Sequence, residues 1–315
     1  GGIAYAVRSL HHPHAPLGGT VFAHMRRMVG SVGVELAVRR YLASQNVPFA
    51  VRDLARFSDP ERYDITLGGR RCDIKTYLIT KRPQIALMRR DPEILLRASA
   101  LLDSDQFAAE TQHNEDLLLF AFLTGLIALS PADQRKAHEA GQPLYLIHPM
   151  PGAWAHPHAW IPLKNLAVKS ECDDLLTLEI GGQDAERAFV TSTLTLPPRT
   201  LVRVPQPFYA ITYLHVNRHP TARIGIHSPV RGGPHLVAPT GWGNIWVYGM
   251  NITLTGYMTR GEFRRRADFL PQGARVFQYS QTRTKTLAVP IANLYPIGDL
   301  LHRVKVWQPG KNAGQ

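Results

Sequence analysis

The segment Leu117–Leu129, LLLFAFLTGLIAL, carries no charge. A bilayer-spanning helix needs about 20 apolar residues. The run is therefore too short to cross a membrane, and it reads as a strand buried in protein. Whatever the rest of the chain does, it must supply enough apolar surface to cover that strand. With 315 residues, 44% of them apolar and 19% charged, it can do so as two ordinary domains or one large one.

Upstream of the run lies DITLGGRRCDIKT, Asp64–Thr76. Gly68-Gly69 between two strand-like runs, YDITL and RCDIKTYLI, predicts a hairpin. Side chains alternate along a strand, so Asp73 and Lys75 share a face, and the ladder carries Asp64 alongside them. Three charged groups then meet on a sheet otherwise lined by Ile65, Leu67 and Ile74, at a desolvation cost that a purely structural hairpin has no reason to bear. Before the hairpin, 20–43 reads as a helix with Val32, Leu36, Val38 and Leu42 at helical spacing and Glu35 among them; Gly30 and Gly33 invite a break. PFAVRDL (48–54) reads as a strand, and DPEILLRASALL (91–102) as a second helix. The expected order is helix, three strands, helix, strand.

Two aspartates and a lysine so placed suit phosphodiester hydrolysis. Mg²⁺ takes one or two carboxylates plus waters and phosphate. A neighbouring lysine can orient or deprotonate the attacking water, or stabilise developing charge. Glu35 is a candidate further carboxylate. The series Glu35, Asp64, Asp73-x-Lys75, on helix, strand, strand, strand, helix, strand, resembles the PD-(D/E)xK nuclease superfamily over roughly residues 20–130. Tyr63 stands where that motif has proline. The resemblance implies a restriction-endonuclease-like α/β core with a mixed sheet flanked by helices. It implies Asp64 and Asp73 as ligands of Mg²⁺ (or Mn²⁺), Lys75 as the catalytic lysine and an auxiliary Glu35. Gln84 follows nine residues after Lys75 and could line such a site. A solvated hairpin with surface charges is the structural alternative.

Beyond about 145 the pattern changes to short strand-like runs punctuated by proline and glycine. The expected partition is 1–145, the nuclease-like domain, and 146–315, a basic, mostly β domain that binds DNA. The net charge is +12. It is uneven: residues 151–315 hold 18 Lys/Arg against 9 Asp/Glu. Such an excess favours a polyanion through phosphate neutralisation, although an anionic membrane would satisfy it too. Arg260, Arg264, Arg265 and Arg266, on a short helix expected to be capped by Thr259, are the leading nucleic-acid contacts, with Arg283 and Lys285 in QTRTKT. The bland reading is a solvated basic helix end.

HPMPGAWAHPHAW (148–160) reads as a rigid interdomain linker, and Trp242 and Trp246 as stacking candidates or core. His11, His12 and His14 suggest a mobile leader or an adventitious metal site. Two cysteines exclude a disulfide framework or a four-cysteine zinc site and fit a reducing, cytoplasmic setting. No phosphate loop of the G-x-x-x-x-G-K-[ST] type and no G-x-S-x-G elbow is present. The function expected is a metal-dependent DNA endonuclease of a restriction or phage-defence kind, acting as a homodimer. The alternatives are a nuclease for single-stranded or branched DNA or RNA, and an inactive nucleic-acid-binding protein.

Overall fold

The computed structural model describes residues 21–51, 63–109 and 113–307. The His11–His14 leader and the end of the strand expected over 48–54 lie outside them. In chain order the first elements are α1 (Val21–Ser44), β1 (Phe49–Val51), β2 (Ile65–Leu67), β3 (Arg70–Ile79), α2 (Arg82–Arg90), a 3₁₀ turn (Pro92–Arg97), β4 (Ser99–Asp103), α3 (Ser104–Ala109) and β5 (Leu117–Leu126). Then come α4 (Pro131–Glu139), β6 (Leu146–Pro149), α5 (Gly152–Ala155), β7 (Ala167–Ser170), β8 (Leu176–Gln183), β9 (Phe189–Leu196), β10 (Leu201–Arg203), β11 (Ala210–Val216), β12 (Ile224–His227), β13 (His235–Val237) and β14 (Gly243–Asn244). The last are β15 (Tyr248–Thr259), α6 (Arg260–Arg266), β16 (Asp268–Leu270), β17 (Thr286–Pro290) and α7 (Ile297–Val306). The protein is mixed α/β, and strands dominate its C-terminal half.

The chain forms two units, each built from separated segments. Gly30–Leu126 and Gly249–Gln315 make one, here the hairpin unit; Gly1–Val29 and Ile127–Tyr248 make the other, the β unit. The expected single cut near 145 does not coincide with this division. Residues 249–315, assigned from sequence to a separate DNA-binding domain, join the unit that carries Asp64, Asp73 and Lys75. The physical reason is β15, which lies next to β5 in the sheet and satisfies a strand edge that no local segment covers.

The hairpin unit centres on a five-stranded sheet of order β1-β2-β3-β5-β15. β1, β2 and β3 are antiparallel neighbours, while β3 and β5 run parallel, from Cys72 beside Leu117 to Ile79 beside Thr124. Gly68 and Gly69 both have positive φ, 54° and 78°, as a two-residue hairpin turn with right-handed strand twist requires. A Cβ on Gly68 would also lie 2.6 Å from the Trp307 ring.

Both faces of the sheet are covered, which explains the unbroken apolar run of β5. On one face Cys72, Ile74, Leu117, Leu119, Ala121 and Leu123 pack with Val34, Val38 and Leu42 of α1 and with Leu300 and Val304 of α7. On the other, Tyr77, Ile79, Leu118, Phe120 and Phe122 pack with Ile85 and Met88 of α2, with β4 and β17, and with Phe263 of α6. Each large side chain so buried stabilises by about 1.5–3 kcal/mol. Helix α1 continues through Gly30 and Gly33. At Gly30 a Cβ would stand 3.0 Å from Leu123 Cδ2, so the missing side chain lets helix and strand approach closely.

The helix expected over 91–102 is not formed. Pro92–Arg97 is a 3₁₀ turn, and Ser99–Asp103 is a strand paired to Thr286–Pro290, in the distant C-terminal segment. Amphipathic spacing suggested helix because that partner is invisible locally. The real second helix, α2, begins at Arg82-Pro83, with proline in its first turn and Ile85 and Met88 inward.

The β unit holds two sheets, β14-β6-β11-β8-β9 and β10-β7-β12-β13. Its core joins Leu146, Trp154, Leu178, Ile180, Phe208, Leu214, Ile226 and Trp242. The segment expected to be an interdomain linker is therefore internal to this unit: it supplies β6 and α5, and Trp154 is buried. Trp242 is core, whereas Trp246 is 38% exposed.

Candidate functional site

Asp64 stands immediately before β2. Its backbone N–H donates to Cys72 O at 3.1 Å, and its Oδ2 accepts from Ile74 N–H at 2.7 Å. Strand β2 does not extend upstream to offer a carbonyl to Ile74, and the carboxylate takes that place. The ladder ends with Ile65 opposite Cys72, and Asp64 N–H bonds to the carbonyl of that same Cys72, so Asp64 lies beside the Cys72–Ile74 backbone. Asp73 and Lys75 alternate with the inward Cys72 and Ile74, so they share the face of Tyr77 and Ile79. Asp73 Oδ2 lies 2.6 Å from Lys75 Nζ, with the two side chains 17% and 21% exposed. The hairpin thus pairs Asp73 with Lys75 in a partly dry environment and anchors the Asp64 carboxylate on the amide of Ile74 between them.

A buried neighbour registers the charge. The Cys72 thiol is fully enclosed, and its pKa is pushed well up by burial first, then by the negative fields of Asp64, Asp73 and Asp116. Asp116 was not singled out from sequence. It is 5% exposed, and its Oδ2 accepts from His113 N–H at 2.7 Å, fixing the turn into β5. The only local signal was an acid next to the apolar run, which is too common to single out.

Glu35 is not brought to this face. Its helix covers the opposite face through Val34 and Val38, and its carboxylate pairs with Arg39 one turn on. Gln84 is on α2, where its side-chain amide donates to Phe277 O. Among the described residues, no three His, Cys, Asp or Glu side chains gather as a metal-holding group.

The basic residues divide. Arg260 is 7% exposed, lies 3.8 Å over the Phe107 ring and donates to Phe107 O, so its expected role as a nucleic-acid contact gives way to packing. Arg264 and Arg265 are exposed on α6. Arg266 is exposed too, but reaches Tyr295 Oη at 3.0 Å. Thr259 caps this helix as expected, in a capping box with Glu262. Burial acts to raise the Glu262 pKa, but hydrogen bonds from Tyr295 and Thr259 outweigh it and hold the carboxyl below its ordinary value. Arg283 and Lys285 are exposed before β17.

Segment 249–315 carries 10 Lys/Arg against 3 Asp/Glu, whereas segment 30–126 balances 13 against 13. The positive excess of the hairpin unit therefore comes entirely from the returning C-terminal segment.

The β unit has polar clusters of its own. His148 Nδ1 is 2.9 Å from Gly241 O and must carry the proton there, so its Nε2 accepts from His235 Nε2, also at 2.9 Å. Glu179 Oε1 receives the hydroxyls of Tyr145 (3.0 Å) and Tyr213 (2.8 Å), and His215 stacks on Tyr145 at 3.6 Å. Burial raises both tyrosine pKa values; Glu179 adds to the rise at Tyr145, whereas at Tyr213 Tyr145 adds to it first and Glu179 next.

No family model, no curated protein and no solved structure matches the chain.

No helix among the described residues is long and apolar enough to cross a membrane.

Proposed function

We propose that the protein is a metal-dependent DNA endonuclease whose reaction centre is the hairpin face of Asp64, Asp73 and Lys75. One observation carries the reading: a lysine ammonium 2.6 Å from one aspartate, with a second aspartate anchored across the same two-stranded ladder. The donor set suits a hard cation. Each carboxylate has about four acceptor sites, so one hydrogen bond or ion pair does not exhaust it, and Mg²⁺ needs only one or two carboxylates besides water and phosphate. Asp64 and Asp73 would hold Mg²⁺, with Mn²⁺ as a substitute, and the metal would supply Lewis-acid polarisation of the scissile phosphate.

The chain's own residues do the rest. The Ile74 amide fixes the Asp64 carboxylate, and Asp73 holds the Lys75 ammonium in place. That ammonium orients a water or meets charge developing on a phosphate oxygen. The exposed Arg264, Arg265, Arg283 and Lys285, in the same unit, supply phosphate contacts. A restriction or phage-defence setting and a homodimer that cuts both strands belong to the same proposal.

The second reading is a nucleic-acid-binding protein without cleavage. It is favoured by the engagement of Glu35 with Arg39 and by the lack of a three-ligand group among the described residues. Incubation of plasmid, phage and single-stranded DNA and RNA with Mg²⁺ or Mn²⁺ separates the two. Cleavage abolished by Asp73→Asn and Lys75→Ala, with binding retained, supports the endonuclease. Binding without cleavage of any substrate supports the alternative.

A further inference from the structure

The β unit contains a cavity of about 480 Å³, lined among others by His156, His158, Trp160, Gln183, Arg187 and Thr212. That size falls in the roughly 300–1,000 Å³ range of small-molecule sites. No carboxylate belongs to the lining.

Its main wall is built on Trp160. Trp160 Nε1 donates to Ala185 O at 2.9 Å, and the ring packs against Tyr209 with centroids 5.7 Å apart. The Arg187 guanidinium lies 4.8 Å over the Trp160 ring.

Arg187 is held in an unusual backbone state. Its φ is +64°, a conformation that glycine adopts freely and an arginine does not. A tight turn enforces it: Arg187 N–H donates to Asp184 O at 3.2 Å, Ala188 N–H to Asp184 Oδ1 at 2.8 Å, and Gln183 Nε2 to Arg187 O at 2.9 Å. The Ala188 bond engages the Asp184 carboxylate. A turn alone would be better served by glycine or asparagine, so the strain falls at the one position that sets a guanidinium on the cavity wall.

We propose that this cavity binds a nucleotide, with the base stacked on Trp160 and the phosphate met by Arg187, aided by His156 and His158. The guanidinium now covers the ring face a base would take. Being exposed, it can swing to the phosphate while the base replaces it. An aromatic platform combined with cationic and imidazole donors, and without an acid in the lining, matches a planar base joined to an anion. The ligand could be a free mononucleotide or an unpaired nucleotide within a strand. The inference does not depend on cleavage, since a protein that never cuts would still bind.

The test is calorimetric titration of the full chain, in an Asp73→Asn background so that no cleavage intrudes. The four deoxynucleoside monophosphates, the parent nucleosides and a short single-stranded oligonucleotide are compared. Arg187→Gly removes the guanidinium while permitting the left-handed backbone, and it should melt no lower than the parent; Trp160→Ala removes the platform. Monophosphate binding weakened at least tenfold by Arg187→Gly, with nucleosides weaker than monophosphates, supports a free nucleotide. Oligonucleotide binding alone, weakened by the same substitution, supports an unpaired nucleotide of a strand. No binding of either probe overturns the proposal, as does binding indifferent to both substitutions in folded protein.

Discussion

The two units handle polar chemistry in opposite ways. In the hairpin unit, formal charges sit on a sheet packed on both faces, and three carboxylates are close enough to perturb one buried thiol. In the β unit the notable polar groups are histidines, tyrosines and a tryptophan-lined cavity; that unit holds nine of the 11 histidines among the described residues. Partly desolvated charges next to a hydrophobic sheet are costly, and they persist where charge is used. Neutral aromatic and imidazole groups are cheap to bury and suit recognition. On the proposed reading, cleavage and phosphate contacts fall to the hairpin unit and nucleotide recognition to the β unit.

The largest expected effect tests the first half of that contrast. Asp73→Asn and Lys75→Ala should each lower single-turnover cleavage by about 10²–10⁴-fold, with DNA affinity changed less than about threefold in filter binding. Equal loss from Glu35→Gln would show that the helix opposite that face also serves the reaction. Next, Phe120→Ala in the doubly covered strand should destabilise the hairpin unit by about 3–5 kcal/mol, read from denaturant unfolding. Its ring stacks on Phe263 at 5.6 Å and has no exposed surface.

Arginines within one helix then sharpen the comparison. Arg264→Ala and Arg265→Ala should each reduce the slope of log affinity against log salt by about 0.9 for a lost phosphate contact, leaving the melting temperature unchanged. Arg260→Ala should do the reverse, because its guanidinium packs on Phe107. The smallest effect concerns pH. Burial lowers the pKa values of His148, His215 and His235 in the β unit. Unfolding restores the ordinary value near 6.5, so the unfolded chain binds more protons and stability falls as pH drops below about 6.5. Amide protection factors in β6, β11 and β13, taken relative to the intrinsic exchange rate at each pH, should therefore fall from pH 7.5 to pH 5, more than in β3 and β5. The His148–His235 bond adds to this, since protonated His148 can no longer accept from its partner.

Much of the candidate site was legible because it is local. Asp64, Asp73 and Lys75 fall close together in the chain, their turn is marked by Gly68-Gly69, and a period of two assigns their face. The cap at Thr259 was readable for the same reason, and the structure adds Glu262, within the next helical turn, as its reciprocal partner. Glu35 could not be placed, because the layer a helix covers depends on where that helix docks. Arg260 was misread because a basic cluster does not say which member turns inward. The strand at Ser99–Asp103 looked helical because its partner, Thr286–Pro290, is far away in sequence. Trp160 and Arg187 gave no joint signal, because they sit on separate loops with β7 and β8 between them.

By itself, then, the sequence determined what short-range geometry controls: the hairpin, the buried strand, the helix cap and the basic excess. Tertiary structure alone decided that segment 249–315 returns beside β5, so that the basic residues share a unit with the charged hairpin rather than forming a separate domain. The reason is physical. Turns and caps are fixed by bonds between residues a few positions apart, whereas covering a strand edge can recruit any segment whose pairing and packing offset the entropy of closing a long loop.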